Sequence, residues 1–145
     1  MEQSSQEKEQ EIWDNIAESW HSFRQKPHAD FIPLLKKYAD SWPRGKILDI
    51  GCGNCRHLIH FSYDEFDCYG IDFSKKMIGY AEQFCRKHSL NVKLKQAFAT
   101  SLPFQAESFN YVLSIFLLHH LNAEERVKAL SEIKRVLKPN GIAFK

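Results

Sequence analysis

Two acids and a pair of glycines carry the clearest chemistry in this chain. Lys46-Ile47-Leu48-Asp49-Ile50-Gly51-Cys52-Gly53-Asn54 runs a short apolar strand into a glycine turn, and Gly70-Ile71-Asp72 ends a second strand in an acid. Glycines at the first two turn positions let backbone approach a ligand closely, and an acid about twenty residues further on can accept hydrogen bonds from a ribose diol. The layout therefore suits one ligand that carries both a ribose and a charged end.

A nicotinamide dinucleotide and S-adenosylmethionine both meet that description. The dinucleotide fingerprint wants a third glycine three residues after the second, where the helix packs on the strand. Arg56 stands there. A large charged side chain at that place argues against a pyrophosphate on the helix end. Asp49 adds an acid beside the turn, which suits a positive amino or sulfonium group, and Asp72 is left for the ribose. The plainer reading, in which Asp49 and Asp72 only cap loops, sits less well with the paired glycines. S-adenosylmethionine is the better fit.

Cys52 and Cys55 make a C-x-x-C, a spacing shared by zinc and redox sites. Structural zinc takes four ligands, and Cys68 and Cys85 form no second pair at ligand spacing. Both turn cysteines are read as residues of the ligand turn, and no metal is expected.

The elements that must position these residues follow from periodicity. Ile12, Trp13, Ile16, Ala17, Trp20 and Phe23 recur at helical spacing and predict a helix over about 8–25, with Pro27 ending it. Trp13 and Trp20 are read as core residues of that helix rather than base-stacking platforms, though one of them could cover the ligand pocket. A second helix is predicted over about 29–41. Alternating strands and helices follow: strands at 46–50, about 66–71, about 91–96 and about 109–114, and helices over about 54–62, from a Ser74 cap to about His88, and from Ala123 to Leu137. Lys138-Pro139-Asn140-Gly141 is read as a turn into a fifth strand at Ile142. Repeated βα units imply a doubly wound parallel sheet with helices on both faces and a ligand at the carboxyl ends of strands one and two. The chain is read as one domain, 1–145, with 1–45 a helical lid and 46–145 the α/β core, cut short after the start of strand five.

Composition bounds the rest. A hydrophobic share of 43% with 26% charged residues is that of an ordinary globular protein. No apolar run is long enough to span a bilayer, the first residues are polar and acidic, and a cytoplasmic location is expected. The net charge of +2 conceals a polar division: residues 1–18 hold six acids against Lys8, a net of −5, which leaves +7 on the remainder. A basic body suits an anionic partner such as RNA. The simpler reading is the solvated faces of two amphipathic helices.

Taken in order, Leu48-Asp49-Ile50-Gly51-Cys52-Gly53-Asn54, Gly70-Ile71-Asp72-Phe73-Ser74, Leu102-Pro103-Phe104, Ser108-Phe109-Asn110-Tyr111-Val112-Leu113-Ser114 and Leu137-Lys138-Pro139-Asn140-Gly141 resemble the motifs of class I S-adenosylmethionine-dependent methyltransferases. Trp13-Asp14-Asn15-Ile16-Ala17-Glu18-Ser19-Trp20, continuing through Phe23-Arg24 to Lys26-Pro27, is similar to the N-terminal helix of the tRNA wobble-uridine methyltransferases, which methylate the carboxylate of 5-carboxymethyluridine. Ile115 to Leu121, with His119-His120, is similar to the same family's exit from strand four. The resemblance implies a Rossmann-like fold and S-adenosylmethionine held by Asp49, Gly51, Cys52, Gly53, Asp72, Phe73, Phe98, Ala99 and Ser114. The acceptor side is read at Arg24, His119 and His120: Arg24 as a carboxylate clamp or else a surface arginine of an amphipathic helix, and one histidine, with His119 favoured, as a pocket residue while the other packs. tRNA as substrate and a small zinc-binding activator subunit as partner come with the resemblance. The chain departs from the family in carrying Cys55 where a smaller residue is usual and Phe98 where an acid usually holds the adenine amino group. A small-metabolite acceptor and a non-catalytic cofactor-binding or scaffold role are the competing readings.

Overall fold

A computed structural model of the protein describes residues 4–25, 31–115 and 117–145, with backbone alone at Ile32. Five parallel strands form one sheet in the order β3-β2-β1-β4-β5. The strands are β1 (Lys46–Ile50), β2 (Asp67–Asp72), β3 (Val92–Gln96), β4 (Phe109–Leu113) and β5 (Leu137–Phe144). Parallel sheets are buried on both faces, and β1 shows it: Ile47, Leu48, Asp49 and Ile50 are all buried. Its register sets Asp49 beside Gly70 and Ile50 beside Ile71, so the ends of β1 and β2 lie side by side.

Two apolar layers sandwich the sheet. On one face α2 (Ile32–Ser41), α3 (Ile59–Tyr63) and α4 (Lys75–Lys87) bring Leu35, Phe61 and Ala81 onto Ile47, Cys68 and Leu113. On the other, α5 (Ala123–Val136) sets Ala129, Ile133 and Val136 against Leu48, Ile50 and Val112. Each fully buried side chain of this size contributes roughly 1.5–3 kcal/mol. The chain crosses from one face to the other between β3 and β4, which makes the gap between β1 and β4 the topological switch point where such sheets bind ligands.

The helix α1 (Ser5–Phe23) belongs to neither layer and lies across the carboxyl ends of the strands. It begins three residues earlier than its apolar spacing predicts because Ser4 and Glu7 form a capping box. Its predicted stop at Pro27, and the first two residues of the predicted 29–41 helix, lie outside the described residues. The helix predicted over 54–62 is shorter, because the backbone at Gly53 and Cys55 is left-handed (φ 54° and 71°). Helical geometry starts as a 3-10 turn at Arg56–Leu58 and becomes α-helical only at Ile59.

The largest correction concerns β5. The Lys138–Gly141 stretch, read as a turn leading to a strand at Ile142, is itself part of an eight-residue strand. Leu137 pairs with Phe109, and pairing resumes at Ile142 with Tyr111 across an irregularity in register. That irregularity absorbs Pro139 and the left-handed Asn140, residues that regular pairing excludes. No helix among the described residues is long and apolar enough to cross a membrane.

Candidate active site

The glycine turn is built by backbone. The Cys52 N–H donates to the Ile71 carbonyl (2.8 Å), tying the turn to β2. The Gly53 N–H donates to Asp72 Oδ2 (3.1 Å) and the Ser74 N–H to Asp72 Oδ1 (2.9 Å), so one carboxylate clasps the turn and the start of α4 together. Ser74 also caps α4 through the Met77 N–H. Each Asp72 oxygen accepts one such bond and keeps a lone pair for a further donor. Gly51 (φ 70°) and Gly53 (φ 54°) take a conformation that costs other residues about 1–2 kcal/mol. A Cβ at Gly53 would stand 2.6 Å from the Trp20 ring.

Above the turn, α1 roofs a cavity of about 340 Å³, a volume within the usual range for small-molecule sites. A row of polar contacts straps the roof down. Ser5 Oγ donates to Glu125 (2.5 Å), Gln10 Nε2 donates to the Phe73 carbonyl (2.8 Å), and Ser74 Oγ donates to Asp14. At the far end, Asn54 Nδ2 donates to the Arg24 carbonyl (2.5 Å) and lies 3.1 Å from His21 Nδ1, while the His21 ring stacks on Tyr80. Trp13 and Trp20 meet edge to face inside the roof (6.1 Å), and both line the cavity.

Charge is arranged in two zones. Below the turn, Asp49 is 1% exposed and its Oδ2 has no hydrogen-bond partner among the described residues. Burial, reinforced by the neighbouring Asp72, pushes its pKa up to about 8, against a smaller opposing pull from Arg56. Burial raises Asp72 to about 6, with the Ser74 and Gly53 amides working against it. On the lid side two guanidiniums approach one indole: Arg24 Cζ is 5.9 Å and Arg56 Cζ 5.2 Å from the Trp20 ring centre. Burial, and then the nearby Arg24 charge, lower Arg56 to about 10. The cavity therefore has Asp72 on its floor, with Asp49 buried behind the turn, and an aromatic corner where Arg24 and Arg56 approach Trp20.

The structure gathers most of the sequence-derived residues here. Gly51, Cys52, Gly53, Asp72, Phe73, Phe98 and Ala99 line the cavity, as do Arg24 and His120. Asp49 lies behind the turn rather than on the wall. Ser114 is also set back, buried at the end of β4, with its N–H bonded to the Phe144 carbonyl and its hydroxyl unpartnered among the described residues. Of the two histidines, His120 and not His119 reaches the wall, where its ring meets Trp13 edge to face (5.7 Å). The His119 ring lies against that of His120 (4.0 Å between ring centres), with His120 on the cavity side. Burial, then the adjacent His119, lower the pKa of His120.

Trp13, Trp20 and Arg56 also stand on the wall; the sequence reading allowed one of the tryptophans to cover the pocket and favoured a core role for both. Trp13 and Trp20 read as core because helical periodicity cannot separate a buried stripe from a stripe facing a cavity. Arg56 was read only as an obstacle to pyrophosphate. The sequence signal available for Trp20 was the second turn glycine, whose missing Cβ makes room for its ring. Among the described residues no group of three or more His, Cys, Asp or Glu side chains is placed to hold a metal ion.

A family model described as a methyltransferase domain matches residues 47–141. The chain belongs to the class I S-adenosylmethionine-dependent methyltransferases. It is 34% identical over 109 residues to YcgJ, an uncharacterized methyltransferase of Bacillus subtilis, covering 74% of this chain and 42% of that one. The crystal structure of YcgJ superposes with a TM-score of 0.72 over 80% of this chain and 49% of that chain. It is 32% identical over 136 residues to the tRNA (carboxymethyluridine(34)-5-O)-methyltransferase of Xenopus tropicalis, covering 92% of this chain and 20% of that one. It is 35% identical over 152 residues to a demethylmenaquinone methyltransferase of Geobacillus stearothermophilus, covering 98% of this chain and 63% of that one. The chain thus spans less than two thirds of the length of each of these relatives.

Family membership implies S-adenosylmethionine as cofactor, and the residues present fit it. A Cβ at Gly53 would collide with the Trp20 ring and one at Gly51 would crowd Leu117, Asp72 keeps lone pairs for a diol, and the orphaned Asp49 oxygen is suited to a cationic ligand nearby.

Proposed function

We propose that this chain transfers a methyl group to a carboxylate, with the carboxylate of 5-carboxymethyluridine at the tRNA wobble position as its acceptor. The observation that carries the reading is the pair of guanidiniums, Arg24 and Arg56, converging on Trp20 in the cavity roof. A guanidinium presents donors that match a carboxylate in a bidentate fork. The likeness to the Xenopus enzyme supports it, since it extends over 92% of this chain.

When bound, S-adenosylmethionine supplies an electrophilic methyl on a sulfonium. Asp72 would hold its ribose end, Phe73, Phe98 and Ala99 would enclose its adenine ring, and Asp49 would balance its positive charge. The chain's own contribution to the reaction is orientation and exclusion of water. A carboxylate with a pKa near 4 is already ionised at neutral pH, so no general base is needed. Arg24 holds the acceptor carboxylate in place, Trp13 and Trp20 keep solvent from the reacting atoms, and His120 lines the acceptor side. In-line displacement depends on such alignment, which can contribute several kcal/mol. The family resemblance adds a small zinc-binding activator subunit as partner, to be sought by co-purification.

The likeness to the demethylmenaquinone enzyme supports a second reading, with an apolar ring as acceptor. In that case a base is required to remove a proton, and His120, on the wall and held below its ordinary pKa by burial, is the candidate. One experiment separates the two. Labelled S-adenosylmethionine is incubated with the full chain and either tRNA carrying 5-carboxymethyluridine or a lipid extract. Alkali-labile label in tRNA, lost by about 100-fold in Arg24→Ala, supports the carboxylate reading. Label confined to the lipid fraction contradicts it.

A further inference from the structure

The carboxyl end of the lid meets the cradle at one side chain. Asn54 closes the glycine turn and is fully buried. Its amide oxygen accepts the Arg56 N–H (3.3 Å), so its nitrogen faces the other way. That nitrogen carries two N–H groups and has two neighbours, the Arg24 carbonyl (2.5 Å) and His21 Nδ1 (3.1 Å). A carbonyl only accepts, which leaves the second N–H to a lone pair on Nδ1. The bonding pattern thus assigns a neutral His21 with its proton on Nε2. Gln25 sets a second amide nitrogen against the same ring. Its Nε2 donates to the His21 carbonyl (2.5 Å) and stands 3.4 Å from Nδ1 and 3.3 Å from Nε2.

Arg24 is the residue this arrangement fixes. It caps the carboxyl end of α1, where its N–H donates to the His21 carbonyl (3.2 Å) and its own carbonyl accepts from Asn54. Both polar groups of its backbone are therefore engaged, one by its own helix and one by the cradle. Its guanidinium then stands on the cavity wall beside Trp20. Without the Asn54 bond the residue is tied only to the helix end that carries it.

We propose that Asn54 and His21 form a latch that positions Arg24 over the cavity, and that a proton on His21 Nδ1 opens it. A charged ring turns an N–H toward the Asn54 amide, and two donors then face each other. If the ring withdraws, the end of α1 moves with it. If the amide turns over instead, its oxygen leaves the Arg56 N–H and faces the Arg24 carbonyl, which is released. Either way Arg24 loses its place.

The surroundings give the charged ring little support among the described residues. From α4 it meets the Tyr80 ring and the Lys87 ammonium, with Gln83 and Phe84 alongside. From the turn it meets Asn54, and the Arg56 guanidinium lies beyond against Trp20. On its own helix Ser22, Arg24 and Gln25 follow it, and Glu18, three residues earlier, is exposed. Burial, then the Lys87 charge, lower the His21 pKa from 6.5. The open form has the ordinary value, so the latch is whole above about pH 6.5 and weakens as pH falls below it. The consequence for the acceptor rests on the reading of Arg24 as its carboxylate clamp, whereas the latch itself does not.

The test follows amide hydrogen exchange of the full chain at about pH 7.5 and about pH 5.5, corrected for the intrinsic pH dependence of exchange. Amides from Trp20 to Arg24 should lose protection about tenfold at the lower pH. His21→Asn, whose Oδ1 takes the place of Nδ1 and does not titrate, should be equally protected at both. His21→Lys, a permanent donor, should be poorly protected at both. With tRNA carrying 5-carboxymethyluridine, acceptor KM should rise about tenfold more on acidification in the wild type than in His21→Asn, with a smaller difference in kcat. Comparing those two chains cancels the titrations of Asp49 and Asp72, which both contain. Equal protection at both pH values in the wild type, or a loss that persists in His21→Asn, would overturn the latch. A pH-dependent latch with the same KM change in both chains would overturn its hold on Arg24. If the wild type transfers no label to tRNA, the carboxylate reading fails and exchange alone decides the latch.

Discussion

The cradle and the lid reach the same cavity by opposite means. The cradle, from Gly51 to Asn54 with Asp72, is set by backbone amides bonded to a carbonyl and a carboxylate within the sheet, and Cys52, Asn54 and Asp72 are at most 8% exposed. The lid, α1, is held by single side-chain bonds such as Gln10 to Phe73 and Ser74 to Asp14, and its outer face leaves Ile12, Ile16 and Phe23 exposed. A backbone-defined site recognises one invariant ligand well. A wall made of Trp13, Trp20 and Arg24 on a strapped helix can change its shape and charge by changing a few side chains.

If that division holds, injury to the cradle should be felt first as lost donor affinity. Asp72→Ala removes the acceptor of two amide bonds, each worth about 1.5–3 kcal/mol when charge-assisted. Calorimetry should show donor affinity reduced by at least about 100-fold, together with a lower melting temperature. Gly53→Ala is the next largest, because the new methyl adds left-handed strain and displaces Trp20. A loss of about 10- to 100-fold in donor affinity is expected, and a variant that binds normally would mean that cradle and lid are not in contact as described.

Asp49 gives a pH signature of the cradle. Its folded-state pKa is raised from 3.8 to about 8, so its protonated form favours the folded chain. That stabilisation is complete below about pH 4 and disappears as pH rises through about 8. Asp72, raised to about 6, acts in the same direction over a lower window. Melting temperature should therefore fall between mildly acidic and mildly alkaline pH, and Asp49→Asn should flatten the upper part of that slope. The smallest effect belongs to the lid: Asp14→Ala removes one strap and should cost about 0.5–1.5 kcal/mol of stability. Donor affinity should change little, while acceptor turnover falls.

The two regions also differ in how far the sequence revealed them. The cradle was legible because its glycines and acids act through backbone geometry at fixed spacing, and the βα alternation placed it at strand ends. The start of β5 was not, since Pro139, Asn140 and Gly141 have turn propensities that an irregular register absorbs. The lid was legible as a helix, but its wall residues were not, because Trp13 and Trp20 have the same spacing whether they face a core or a cavity. The choice between His119 and His120 depended on which ring stands on the cavity side, which spacing alone does not specify.

Titration of S-adenosylmethionine into the full chain at neutral pH, repeated in buffers of different ionisation enthalpy, tests the central claim most directly. A positive ligand beside Asp49 should ionise it, so binding in the micromolar range should release a proton, and Asp49→Asn should remove that release. No heat at high micromolar ligand, or binding with no proton released, would contradict an acidic floor that receives the methyl donor.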